Sequence, residues 1–226
     1  MIYITGDIHR DFSRLNYLEY RPNDMLIILG DVGINYYLNE EDNKLKKLLS
    51  SYNLKLFCVR GNHEERPENI NSYNEIEMFS GKVYVEDKFP NLVFAKDGEV
   101  YNMDGMSVLV IGGAYSIDKP YRIAYGYNWF SEEQLSDVEM KNILKRTIGK
   151  HFDIILSHTC PYKYEPREIF LNEIDQSKVD KSMEYFLDKV EKNVDYDKWY
   201  CGHYHINKKI DKLEFMYKEI KVFDSK

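Results

Sequence analysis

Residues 54–64 read LKLFCVRGNHE. The first half is a nearly unbroken apolar run of strand length. The second half is Gly-Asn-His-Glu, which favours a loop and carries polar chemistry. A strand that is apolar on both faces suits a sheet covered on both sides, the habit of parallel sheets. Two earlier runs repeat the form: MIYIT (1–5) leads into GDIH, and DMLIIL (24–29) leads into GDVG. A helix-like stretch beginning near Asp11 follows the first. An amphipathic segment from Glu40 to Ser51, with Leu45, Leu48 and Leu49 at i, i+3, i+4, follows the second. Strands alternating with helices predict an α/β fold around a parallel sheet.

The middle of the chain differs. KVYVE, NLVFAK, EVYNM and SVLVIGGAY are short apolar runs set close together, with KDG and MDG as turn signals. They predict an antiparallel meander. NWFSEEQLSDVEMKNILKRTI predicts a helix with Ser131 as its N-cap. FDIILSHTCP is another buried strand, a helix is expected from about Lys178 to Lys192, and KWYCGHYHI is a further strand. KKI and LEFMYKEIKVF read as a closing hairpin. Pro161 to Gln176, with two prolines and mixed polarity, is expected to be a long functional loop. With no repeat, low-complexity tract or linker, residues 1–226 are expected to form one domain.

Polar residues collect where the apolar strands end. Asp7 and His9 follow the first, Asp31 the second, and Asn62, His63 and Glu64 the third; His158 follows FDIIL, and His203 and His205 follow KWYC. Five of the six histidines fall at these ends, and His151 alone does not. In open α/β sheets, sites are built at the carboxyl ends of strands. Asp7, His9, Asp31, Asn62, His158, His203 and His205 make seven oxygen or nitrogen donors. That is too many for one ion and right for two divalent ions about 3.5–4 Å apart, if one carboxylate bridges. Such a donor set suits Mn, Fe, Zn or Ni.

Composition narrows the classes. Hydrophobic residues are 43% and charged residues 31%, so the chain can bury a core. A net charge of −7 disfavours general nucleic-acid binding. Three widely spaced cysteines, Cys58, Cys160 and Cys201, form no disulfide framework and suit burial in a reducing cytoplasm. No run is long enough to span a membrane, and the start shows no signal-peptide pattern.

The ordered series GDIH, GD, GNHE, SH and GHYH resembles the calcineurin-like metallophosphoesterase superfamily, with a bacterial or phage-type flavour, over residues 6–205. The resemblance implies a four-layer αββα sandwich of two mixed β-sheets flanked by helices. It also implies hydrolysis of a phosphomonoester or phosphodiester by a hydroxide activated between two divalent ions, Mn2+ the first choice. By motif, Asp7, His9 and His205 bind one metal, Asn62, His158 and His203 complete the second, and Asp31 bridges. His63 is implied as a catalytic group beside the phosphate rather than a ligand, with Glu64 a candidate to orient it.

The chain departs from the superfamily's protein phosphatases. Their GDxxDRG pattern is GDVGINY here, so Ile34 and Asn35 stand where an Asp and an Arg would be. Arg10 follows His9 and could reach phosphate. GGAYSIDKPYR, residues 112–122, offers Tyr115, Asp118, Lys119 and Arg122 as candidate substrate contacts. A nuclease of the same superfamily and a non-catalytic metal-binding scaffold are the alternatives.

Overall fold

The computed structural model describes residues 1–224. Six strands form in the first half: β1 (Ile2–Thr5), β2 (Met25–Ile28), β3 (Lys55–Cys58), β4 (Tyr73–Met78), β5 (Gly81–Glu86) and β6 (Leu92–Ala95). Seven follow: β7 (Val100–Met103), β8 (Met106–Ile111), β9 (His151–Ser157), β10 (Asp195–Cys201), β11 (Lys208–Ile210), β12 (Leu213–Phe215) and β13 (Ile220–Val222). The helices are α1 (Glu40–Ser50), α2 (Lys119–Tyr125), α3 (Asp137–Thr147) and α4 (Ser182–Asn193).

The strands divide into two mixed sheets. The first has the order β13-β1-β2-β3-β6-β5-β4, with β1, β2, β3 and β6 parallel. The second has the order β11-β12-β10-β9-β8-β7, with β12, β10, β9 and β8 parallel. Alternate side chains of the central strands point between the sheets. Ile4, Ile27 and Phe57 from one sheet meet Val108, Ile154 and Leu156 from the other in one buried cluster. The outer faces are covered as well: Leu49 of α1 joins Leu26, Ile28 and Leu56, while Ile143 of α3 and Leu187 of α4 join Ile155 and Trp199. Helix, sheet, sheet, helix is the four-layer sandwich expected.

Several expectations need correction. The stretch after Asp11 is a short 3₁₀ turn, Phe12–Tyr17, with the Asp11 carboxylate accepting from the Ser13 N–H. In α1, Leu49 is buried but Leu48 is 52% exposed. The inner face instead carries Asp42 and Lys46, tolerated there because Asp42 pairs with Arg10 and Lys46 with Glu86, each at 2.5 Å. The four middle strands are not one meander. β5 and β6 pair in the first sheet and β7 and β8 in the second, so the KDG turn is where the chain changes sheets. Ser131 is not a cap: α3 starts six residues later, capped by Ser136, whose side chain and that of Glu139 satisfy each other's backbone N–H groups. The helix expected from Lys178 begins at Ser182. The closing hairpin is real only for β11 and β12, since β13 crosses to pair antiparallel with β1. Among the described residues, no helix is long and apolar enough to cross a membrane. Cys58, Cys160 and Cys201 are buried and free.

Candidate metal centre

The loops leaving β1, β2 and β3 carry Asp7, His9, Asp31, Asn62 and His63, and those leaving β9 and β10 carry His158, His203 and His205. The two sheets therefore bring their carboxyl ends to one place. Four of the seven predicted donors sit at positive φ: His9 at 46°, Asp31 at 47°, His203 at 67° and His205 at 53°. Such a residue costs about 1–3 kcal/mol and persists only where its surroundings over-determine it.

Much of that determination comes from two buried carboxylates. Asp31 Oδ1 accepts the N–H groups of Asn62 at 2.9 Å and His63 at 2.8 Å, tying the loop after β2 to the loop after β3. Asp7 Oδ1 accepts the N–H of His203 at 2.9 Å, tying one sheet to the other. Both contacts need glycine opposite. A Cβ on Gly61 would stand 2.0 Å from Asp31 Oδ1, and one on Gly202 would stand 2.3 Å from Asp7 Oδ1. This explains why glycine stands directly before Asn62 and before His203.

The remaining polar atoms form two groups. Asp7 Oδ2 is buried and has no hydrogen-bond partner. His205 Nε2 lies 3.3 Å from it and His9 Nε2 3.7 Å, and the two imidazole nitrogens are 2.9 Å apart. On the other side, His158 Nδ1 sits 2.7 Å from the Leu29 carbonyl. A carbonyl only accepts, so Nδ1 carries a hydrogen, and in the neutral ring Nε2 is an acceptor. Nε2 faces Asn62 Oδ1 at 2.8 Å. The Asn62 amide cannot turn to relieve this, because its Nδ2 donates to Ser116 Oγ, which in turn donates to Glu133 Oε2. Two acceptors at that distance repel unless a proton or a cation lies between them. Asp31 connects the groups: its Oδ2 is 3.7 Å from His9 Nε2 and its Oδ1 3.7 Å from His158 Nε2. Asp7, His9 and His205 form one candidate ion-holding group, and Asp7, Asp31 and His158 another. Carboxylate, imidazole and amide donors fit divalent transition ions.

Electrostatics agree with that fit. Burial raises the pKa values of Asp7 and Asp31, but the histidines around them outweigh burial and hold both below the ordinary carboxylate range. Burial, with His158 beside it, pushes His203 down to about 3, so its ring is neutral. His205 is raised by its contact with Asp7. Burial lowers His63, opposed by Asp31 and reinforced by Arg122, so this ring is neutral near pH 7 rather than charged.

The other predicted residues are scattered. Arg10 is taken up by Asp42 and by the carbonyls of Gly33 and Glu41. Glu64 does not orient His63. It is buried, accepts from the Gly61 and Gly33 N–H groups, and is pushed up to about 8 by burial and by Asp31. Lys119 lies over the Trp129 ring at 4.1 Å, while Tyr115 lines the cavity at the site. Arg122 does reach in: Asp118 and the Tyr36 hydroxyl hold its guanidinium, and its Nη2 stands 3.4 Å from His63 Nε2. Sequence reasoning missed Ser116, Glu133 and the Trp129 indole, which donates to Glu133 at 2.9 Å. Ser116 lay within the GGAYSIDKPYR stretch, but nothing local showed that it would hold an amide 54 residues away. His151 lies at the opposite end of β9, exposed among Asp153, Asp195 and Asp197.

Residues 1–207 match the family model described as calcineurin-like phosphoesterase. The chain belongs to the calcineurin-like phosphoesterase family. At family level this phosphoesterase is a metal-dependent hydrolase, and two of its candidate ion-holding groups lie at the carboxyl ends of the central strands. A search of curated proteins gives no match. Among solved structures, this phosphoesterase is similar to the phosphopantetheinyl hydrolase from Mycobacterium tuberculosis. The identity is 14% and the TM-score 0.49, over 96% of this chain and 87% of that chain.

Proposed function

We propose that residues 1–226 act as one phosphoesterase domain that hydrolyses a phosphomonoester or phosphodiester at a site for two divalent ions, Mn2+ foremost. In this reading Asp7, His9 and His205 hold one ion, Asn62, His158 and His203 hold the other, and Asp31 bridges. One observation carries it above the rest: Asp7 Oδ2 is buried without a hydrogen bond beside the Nε2 atoms of His205 and His9. When bound, two divalent ions supply an acidified water and neutralise the charge that grows on a phosphoryl group. The chain's own residues would orient the ester. His63, neutral and mobile in proton demand, offers a hydrogen bond to the phosphoryl or leaving oxygen. Arg122 brings a guanidinium to the same corner and so replaces the arginine missing at Asn35. Tyr115 would contact the organic part of the ester. Three buried free cysteines suit a cytoplasmic setting.

The test is a pair of variants assayed with Mn2+ on a monoester and a diester. Asp31→Ala should abolish both ion binding and turnover. His63→Ala should cut kcat by about 10²–10⁴ while both ions remain bound. If His63→Ala empties an ion position, or Asp31→Ala turns over normally, the roles are wrong.

A further inference from the structure

A cavity of about 420 Å³ opens beside the candidate metal centre, a size suited to a small organic molecule. One wall carries Asp31, His63 and His203. The opposite wall is apolar and comes from the segment between β9 and α4, through Ile169, Leu171, Ile174 and Val179. That segment is anchored to the centre. Its Phe170 ring stacks on Tyr204, the residue between His203 and His205, at 6.2 Å and 11°.

Glu184, in the first turn of α4, also lines the cavity and is only 3% exposed. Its Oε1 accepts from the Thr159 hydroxyl at 2.7 Å, one residue beyond His158. Its Oε2 is buried and has no hydrogen-bond partner. The other charges on that side are already engaged: Lys181 pairs with Glu165 at 2.5 Å, and Asp180 accepts from Gln134 and from the Ser182 N–H. A buried acceptor without a donor is costly, and a site containing one selects a ligand that brings the donor.

We propose that this cavity receives the organic part of the ester. The substrate class is then a phosphoester of an apolar alcohol or phenol whose far end carries an N–H or O–H donor for Glu184. This rests on the phosphoesterase reading above. Nucleic-acid strands and polyphosphates are disfavoured, because a second phosphate in the cavity would meet apolar walls and the carboxylates of Asp118 and Asp180.

Three esters separate the terms: methyl phosphate, phenyl phosphate and 4-(aminomethyl)phenyl phosphate, each assayed with Mn2+ bound to the wild-type protein above pH 8, where Glu184 is ionised. The expected kcat/KM rises along that series, by about tenfold at each step. Glu184→Ala should bring the aminomethylphenyl-to-phenyl ratio to within about twofold of one, and Glu184→Gln, which keeps an acceptor, should restore part of it. Leu171→Asp, at a position already 58% exposed, should lower the phenyl-to-methyl ratio. Unfolding midpoints show whether each variant is folded. Equal kcat/KM for the three esters, or an unchanged ratio in folded Glu184→Ala, overturns the proposal. Binding of the free product 4-(aminomethyl)phenol, measured by calorimetry, needs no turnover. If it binds in a Glu184-dependent way while no ester is hydrolysed, the cavity assignment stands and the hydrolytic reading fails. If esters turn over without preference and the product does not bind, the cavity assignment alone fails.

Discussion

Gly61→Ala is a one-methyl test of how the centre is held. The new Cβ would stand 2.0 Å from Asp31 Oδ1 and 2.2 Å from Asp31 N, against an ordinary contact of 3.4–4 Å. The carboxylate end could swing, but the backbone nitrogen cannot, so the loop after β2 must shift by about 1 Å to restore contact distance. Overpacking of that kind costs about 1–3 kcal/mol. Moving Asp31 also weakens the hydrogen bonds from the Asn62 and His63 N–H groups, each worth about 1.5–3 kcal/mol to a charged acceptor. A combined loss of about 3–6 kcal/mol should lower the unfolding midpoint of the metal-free protein by at least about 6 °C. The same shift displaces the proposed bridging carboxylate, so Mn2+ affinity should fall in calorimetric titration. Gly149→Ala is the control: its φ is 72° but nothing lies within 4 Å of the new methyl. It should lose some stability and keep wild-type Mn2+ affinity. If Gly61→Ala unfolds within 1–2 °C of wild type, or binds Mn2+ as tightly, the close-packed Asp31 account is refuted.

Two further predictions concern single side chains. Burial raises Glu184 to about 7, against an ordinary 4.5. Between those values the unfolded chain gives up a proton that the folded chain keeps, so stability falls as pH rises from 4.5 to 7, by up to about 3 kcal/mol. Glu184→Gln should remove that part of the slope in denaturant titrations across the range, and an unchanged slope would contradict it. Ser136→Ala should cost about 1 kcal/mol, a midpoint fall of about 2–4 °C, while Ser131→Ala leaves the midpoint unchanged. Equal effects from the two would return the cap to Ser131.

The two serines also show where sequence reading meets its limit. Ser131 is followed three residues on by Gln134, and Ser136 by Glu139, so both satisfy the capping pattern. Only the packing of Leu135, Met140 and Ile143 against the second sheet selects the later start. The middle strands present the same difficulty. β5 to β8 have the apolar pattern and turns of a meander, and the change of sheet at the KDG turn is a long-range choice that no local residue encodes.

The centre was easier to read because its donors are of rare types at the ends of apolar strands. Asp7, His9, Asp31, Asn62, His158, His203 and His205 are all brought to one place. Supporting groups were harder, since their partners are distant in sequence. Glu64 adjoins His63 yet turns to the Gly61 and Gly33 N–H groups, whereas Arg122, 59 residues on, is the group that reaches the His63 ring. Arg10 adjoins His9 and is held by Asp42 of α1 instead.

The central claim is that Asp31 joins two ions between the sheets. Crystals grown with Mn2+ and measured at the manganese absorption edge test it directly. The account predicts two anomalous peaks about 3.5–4 Å apart, one beside Asp7, His9 and His205 and the other beside Asn62, His158 and His203, with Asp31 touching both. A single peak, or peaks only at the exposed His151 and Asp153 cluster, would contradict it.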